Sequence, residues 1–225
     1  MSGALPGPTV VAVNDPVRHP MTLIDTPTDD DAVGDVQRLY GVERARLGYV
    51  PEFARVFAHA PQVYADWTEL AGSIRESMSL LRYELVTLAA AQALHSTYCS
   101  LAHGRILRDL LGGPDAVLDV LAGRDRDLDP ADVAAMEIAT RTVTDPNSIT
   151  AADLADARAA GLTDGEIVAV VLAASARSFF STVLGALGAA PDRELVDALE
   201  PELQDVLTVG RPTAGATTDV TATRS

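Results

Sequence analysis

The chain has 225 residues, of which 48% are hydrophobic and only 4% aromatic, so we expect one domain with an aliphatic core. Its net charge of -15 disfavours binding to nucleic acid and to anionic membranes, and its single cysteine excludes an internal disulfide. The N-terminus does not resemble a signal peptide, and we find no apolar run of membrane-spanning length. These features predict a soluble cytoplasmic protein.

The two ends of the chain differ in composition from its centre. Residues 1–30 contain five prolines without a periodic apolar pattern, which predicts an irregular N-terminal arm. Residues 208–225 are small, polar and rich in threonine, which predicts a disordered tail. The domain itself is therefore predicted to span residues 31–207.

The first half of this domain reads as a series of helices. The apolar spacing between residues 30 and 48 predicts the first helix. Pro51 begins a second helix that ends near His59, and Pro61 begins a third. Ser79 is placed to cap a fourth helix, which starts LLRYELVTLAAAQAL.

The second half shows the same signals and no segment that we interpret as a strand. Asp129 precedes Pro130, a cap followed by proline at the first helical position, and predicts a helix to about residue 143. Thr150 and Thr163 are each followed three residues later by an acidic residue, as in capping boxes. A last long helix follows, with the sequence EIVAVVLAASARSFFSTVLGALG. We therefore predict a compact all-α domain.

The segment LHSTYCS, residues 94–100, is a poor helix interior that follows a good one. It predicts a break near His95, after which Ser96 caps a new helix. Cys99 would then lie in the first turn, where the positive end of the helix dipole favours a thiolate. If one helix ran straight through, this contribution would be absent.

Three side chains around this break form a candidate reactive site. Cys99 and His103 are four residues apart, which places them on one helix face, where an imidazole can take the proton of a thiol. Glu84 lies fifteen residues before Cys99, roughly 22 Å along a continuous helix at about 1.5 Å per residue. Only a break that folds the second helix back would bring the Glu84 carboxylate close to the thiol.

A simpler interpretation is that Cys99 is a buried cysteine that packs as a small hydrophobic side chain. A metal site is not expected, because one cysteine and one histidine fall short of the usual number of ligands. We predict no cofactor.

The pattern Glu84, Ser96, Cys99 and His103 resembles the alkylhydroperoxidase D and carboxymuconolactone decarboxylase family. Peroxidases of that family carry Glu, eleven residues, then Cys-x-x-Cys-x-x-x-His, and every spacing agrees with this chain. The segments LGYVPEFARVFAHAP, LLRYELVTLAAA and GLTDGEIVAVVLAASARSFFSTVLGALG resemble it too. The resemblance implies an all-helical fold and homo-oligomers, often trimers or hexamers. It also implies that the second cysteine attacks a peroxide, that the first resolves the product, and that Glu and His relay protons.

This chain departs from the family pattern at two places. Ser96 occupies the position of the first cysteine and cannot form a disulfide, which excludes two-cysteine peroxidase chemistry. Ser181 and Thr182 follow the two phenylalanines where the family often has an Asn-Arg pair. The resemblance thus implies a one-cysteine peroxidase or thiol-redox enzyme that uses a small hydroperoxide and an external thiol reductant, with Ser96 as a hydrogen-bond donor to the thiolate.

Two other functions remain open at this point. In a non-redox lyase or isomerase for a small carboxylate, Glu84 and His103 would perform the acid–base chemistry. In an inactive scaffold homologue, the acidic surface and the two end segments would serve assembly or partner docking.

Overall fold

The computed structural model describes residues 22–124 and 128–213, which form eleven α-helices, one 3-10 turn and no strand. This confirms the predicted all-α class. The helices are α1 (Gly34–Leu47), α2 (Glu52–Phe57), α3 (Pro61–Glu76), α4 (Leu80–Ala93), α5 (Thr97–Leu111), α6 (Pro114–Leu121), α7 (Pro130–Thr144), α8 (Ala151–Ala159), α9 (Asp164–Leu187), α10 (Arg193–Asp197) and α11 (Pro201–Leu207), and the 3-10 turn is Pro146–Ser148.

The predicted helix starts are confirmed by their capping hydrogen bonds. The side chains of Ser79 and Asp129 each accept a backbone N–H from the first turn of the helix that follows. Thr150 and Thr163 both complete capping boxes with the acidic residue three positions later. These short-range bonds explain why α4, α7, α8 and α9 begin where the sequence indicated.

Some boundaries differ from the predictions. The first helix begins at Gly34 rather than at residue 30, and the short helices α6, α10 and α11 were not predicted. These three helices have only eight, five and seven residues, which is too short for a clear helical period in the sequence.

Helix α4 lies at the centre of the fold and packs against α5, α7 and α9. On one side, Leu85 and Leu88 of α4 belong to a cluster that includes Leu101 of α5. On the other side, a cluster with many alanines joins α4 to α7 and α9, including Ala135 and Val170. Small side chains let the helices approach one another closely. Close packing fills a core that has few large aromatic rings.

Helix α9 corrects one expectation. It has 24 residues and is, by length and composition alone, apolar enough to cross a membrane, although no run of that length was expected. Half of its most apolar window is buried inside the protein, as in the core helix of a globular domain.

Both end segments contact the domain where the structure describes them. The backbone N–H of Leu23 donates to the carbonyl of Leu187 at 2.8 Å, and the N–H of Gly210 donates to Thr97 Oγ1 at 2.9 Å. Most of the predicted arm (residues 1–21) and of the predicted tail (residues 214–225) lies outside the described residues. The domain boundaries therefore stay a prediction.

Candidate functional site

The predicted break between α4 and α5 is present. Helix α4 ends at Ala93, α5 begins at Thr97, and α5 packs back along α4. His95 has φ of 52°, the one left-handed non-glycine residue in the described part of the chain, which marks the reversal. Cys99 lies in the first turn of α5, as predicted. Ser96 occupies the N-cap position, but its side chain makes no capping hydrogen bond, contrary to the prediction.

A buried polar cluster fixes the start of α5. The Tyr98 hydroxyl donates to the carboxylate of Asp192, which also accepts the backbone N–H of Glu52 at 2.8 Å. Burial raises the pKa of Asp192, and the two hydrogen bonds act in the opposite direction. These contacts join α5 to α2 and to the segment before α10, and they hold the turn that carries Cys99.

Glu84 and His103 form a buried pair across α4 and α5. His103 Nδ1 lies 2.6 Å from Glu84 Oε2 and 3.2 Å from Thr87 Oγ1. Burial, assisted by the charge of Arg177, lowers the pKa of His103, while Glu84 partly offsets this shift. A neutral ring that donates its Nδ1 proton to the carboxylate leaves Nε2 with a free lone pair, as a general base requires.

The neighbour of Cys99 is Arg177, which is not among the predicted site residues. Cys99 is 2% exposed, and Arg177 Nη1 lies 3.7 Å from its Sγ. Among the hydrogen bonds of the described residues, none joins Cys99 to His103 or to Ser96. Ser96 instead lines a separate cavity of about 190 Å³. The structure thus pairs Glu84 with His103 and Cys99 with Arg177.

One feature of the sequence sets Arg177 apart. It is the sole charged residue between Glu166 and Leu187 in an otherwise apolar helix. Because a charged side chain is rarely buried without a partner, an arginine at such a position indicates a nearby anion or ligand. Its contact with Cys99 joins residues that are 78 positions apart, so the sequence alone did not reveal the partner.

Two aromatic rings border the guanidinium of Arg177. Its Cζ lies 5.8 Å from the ring centre of Trp67 and 5.6 Å from that of Phe180. The two rings stack on each other with centres 4.3 Å apart. Such rings attract a cation through their negative faces, and this attraction is stronger away from water. The aromatic pair therefore helps to hold a positive charge inside the protein.

The surroundings of the Cys99 sulfur are those of a candidate nucleophile. A guanidinium is its neighbour, and the residue lies in the first turn of α5. The Glu84–His103 pair, one helical turn further along α5, can accept and return a proton. In residues 22–124 and 128–213, no group of three or more His, Cys, Asp or Glu side chains is placed to hold a metal ion.

Comparison with known proteins agrees with this architecture. Residues 61–141, which include Glu84, Cys99 and His103, match the profile described as the carboxymuconolactone decarboxylase family. No curated protein matches the sequence.

Solved structures share the fold at low sequence identity. The alkylhydroperoxidase AhpD core of an uncharacterized peroxidase-related protein from Ralstonia eutropha JMP134 is 20% identical, with a TM-score of 0.70 over 79% of this chain and 95% of that chain. An uncharacterized peroxidase-related protein from Silicibacter sp. TM1040 is 19% identical, with a TM-score of 0.64 over 83% and 97% of the two chains. The debrominase Bmp8 is 12% identical, with a TM-score of 0.65 over 84% and 98%.

Proposed function

Residues 61–141 match the carboxymuconolactone decarboxylase family and the chain has an AhpD-like fold, and from this premise we propose that the protein is a one-cysteine thiol peroxidase. Cys99 is the nucleophile, and Arg177 is its counterion. The observation that supports this proposal best is the placement of the Arg177 guanidinium 3.7 Å from the sulfur, with the Glu84–His103 pair one turn away.

The proposed reaction begins with the Cys99 thiolate. Its sulfur attacks one oxygen of a hydroperoxide, a sulfur–oxygen bond forms, and the oxygen–oxygen bond breaks. The sulfur gives up two electrons and becomes a sulfenic acid, and the second oxygen leaves as an alkoxide or hydroxide that takes up a proton. The positive charge of Arg177 stabilises the anion both before and after the transfer.

In the proposed reaction His103 accepts and returns the proton, and Glu84 orients the His103 ring. Side chains four residues apart on a helix have Cβ atoms about 5–6 Å apart, a separation that one water molecule can bridge, and in this proposal the proton of Cys99 passes to His103 by that route. The same ring then returns the proton to the leaving oxygen. Glu84 holds Nδ1 and fixes the tautomer that presents Nε2 as a base.

An external thiol completes the cycle. Ser96 stands where a resolving cysteine would be needed, so the sulfenic acid on Cys99 cannot close a disulfide within the chain. One reductant thiol forms a mixed disulfide with Cys99 and releases water, and a second reductant thiol then frees the Cys99 thiol. This step fits a reducing compartment such as the cytoplasm.

We also propose that the protein works as a homo-oligomer, a trimer or a hexamer. Val168, Leu172 and Phe179 leave an apolar stripe exposed along α9, although this helix has the most apolar sequence of the fold. Exposed apolar patches of this kind are typical of protein contacts.

Replacing Cys99 tests the peroxidase directly. The wild-type protein is expected to consume hydrogen peroxide or an organic hydroperoxide in the presence of dithiothreitol, and Cys99→Ser is expected to reduce this consumption to the background rate. Peroxide loss is measured in a coupled assay, and circular dichroism confirms that the variant is folded. Equal consumption by both proteins would contradict the role of Cys99.

A second candidate is a lyase or isomerase that acts on a small carboxylate without redox chemistry. The observation in its favour is Arg177 Nε, which has no hydrogen-bond acceptor in the described chain and could bind a carboxylate. Activity on a carboxylate that survives Cys99→Ala would favour this function. A protein without either activity would instead be the inactive scaffold.

A further inference from the structure

Two buried polar atoms without hydrogen-bond partners lie on one face of α9, beside Cys99. They are Arg177 Nε and Ser181 Oγ, four residues apart on the helix, and Arg177 contacts the Cys99 sulfur through Nη1. The third such atom in the described residues is Ser100 Oγ, on α5. A buried polar atom without a partner is costly, so the pair on α9 indicates a ligand that supplies the missing hydrogen bonds.

The guanidinium of Arg177 presents a free edge at this place. Its hydrogen bond within the described chain uses Nη1, which faces Cys99 Sγ, and Nε has no acceptor. The Nε–Nη2 edge is the one that binds two oxygen atoms side by side. Ser181 is four residues further along α9 and 4% exposed, so its hydroxyl lies on the same helix face as Arg177.

The surroundings of the Cys99 sulfur and the Arg177 guanidinium are closed to large molecules. Cys99 is 2% exposed and Arg177 is 6% exposed. The half-buried Trp67 lies over the guanidinium, stacks on Phe180, and donates its indole N–H to the Ala176 carbonyl at 3.4 Å. A substrate that reaches the sulfur along this side must fit behind the indole ring.

We infer that the substrate is a small, unhindered hydroperoxide of the size of hydrogen peroxide, which is held by Arg177 Nε and Ser181 Oγ and admitted past Trp67. This inference rests on the proposed peroxidase function and narrows its substrate class. Hydrogen peroxide offers two oxygen acceptors and two hydroxyl donors, which match the unpartnered guanidinium edge of Arg177 and the Ser181 hydroxyl. An alkyl or aryl substituent would meet the indole ring.

In this arrangement one oxygen of hydrogen peroxide goes to Cys99 and the other leaves as water. The Cys99 thiolate takes one oxygen, with its hydrogen, from hydrogen peroxide and becomes the sulfenic acid. The other oxygen leaves with the bonding electron pair as hydroxide, accepts N–H and O–H donors from Arg177 and Ser181, and becomes water with the proton from His103.

The test compares two peroxides and one aromatic variant. Cys99 oxidation by hydrogen peroxide is expected to be at least about tenfold faster than oxidation by cumene hydroperoxide, because the sulfur is buried and the larger peroxide must pass the indole ring. Trp67→Ala is expected to raise the cumene hydroperoxide rate about tenfold, and Trp67→Phe to retain the selectivity. Leu70→Ala is the matched control, because Leu70 lies on the same helix as Trp67, is 53% exposed, and has no role in the proposed site or interface.

Alkylation separates failure of this inference from failure of the peroxidase proposal. Iodoacetamide is expected to modify Cys99 in the folded wild-type protein faster than N-pyrenyl iodoacetamide, which has the same reactive group on a larger body, and Trp67→Ala is expected to reduce this difference. Equal rates with both peroxides, or equal rates with both alkylating reagents, would overturn the size limit while leaving a peroxidase in place. If neither peroxide oxidises Cys99, the peroxidase itself is contradicted, and the substrate class falls with it.

Discussion

Arg177→Met is expected to slow both the oxidation and the alkylation of Cys99 at pH 7 by about tenfold or more. The guanidinium lies 3.7 Å from Sγ, and methionine would replace it with an uncharged side chain of similar length. The substitution removes the cation that favours the thiolate and the donor that stabilises the leaving oxygen. Stopped-flow measurement of peroxide oxidation and iodoacetamide labelling report the two effects separately.

Stability distinguishes this effect from general damage to the fold. Removing one partner of a buried charged pair is destabilising, so Cys99 reactivity is compared at a temperature at which circular dichroism shows both the wild-type protein and Arg177→Met to be folded. Arg193→Met is the control, because the Arg193 side chain is 89% exposed on α10. Unchanged Cys99 reactivity in Arg177→Met would show that the guanidinium is a structural neighbour only.

Glu84→Gln is expected to reduce peroxide turnover about a hundredfold, because the effect of an orienting carboxylate on a catalytic histidine is commonly this large or larger. An amide can donate to Nδ1 of His103, which would move the ring proton to Nε2 and remove the base. Glutamine has nearly the same size as glutamate, so the buried site should remain packed. Turnover is measured with saturating dithiothreitol.

The pH profile identifies the cause of that loss. The pKa of His103 is lowered by burial, so the ring stays neutral to a lower pH than a free imidazole, and wild-type turnover should decline only below about pH 6.5. Glu84→Gln should lose this acidic limb, since its ring no longer acts as a base. Thr87→Val is the control, because it removes the longer 3.2 Å contact to Nδ1 and keeps the carboxylate. An unchanged profile in Glu84→Gln would contradict the proposed relay.

Local signals in the sequence were enough to predict much of the helical framework. The capping residues Ser79, Asp129 and Thr163 act through bonds to atoms within three residues, so short segments already contain the information. The break near His95 was predictable for the same reason, because poor helix formers follow a good helix there. Short helices such as α10 contain too little pattern, and their positions depend on contacts with distant parts of the chain.

The residues of the site were easier to predict from the sequence than the contacts between them. Four residues of separation placed Cys99 and His103 on one helix but could not specify what each side chain contacts. Because α5 folds back on α4, His103 contacts Glu84. Because α9 packs against both helices, Arg177 contacts the Cys99 sulfur. Both outcomes depend on tertiary packing, which a spacing along the chain does not encode.

Trapping the oxidised form of Cys99 tests the first step of the proposed reaction. The folded, reduced protein is mixed with one equivalent of hydrogen peroxide at pH 7 without a reductant, trapped with dimedone, and digested for mass spectrometry. The account predicts a dimedone adduct on Cys99 that forms faster than on free cysteine and disappears when thiol is present before trapping. A folded protein whose Cys99 remains an unmodified thiol would contradict the account.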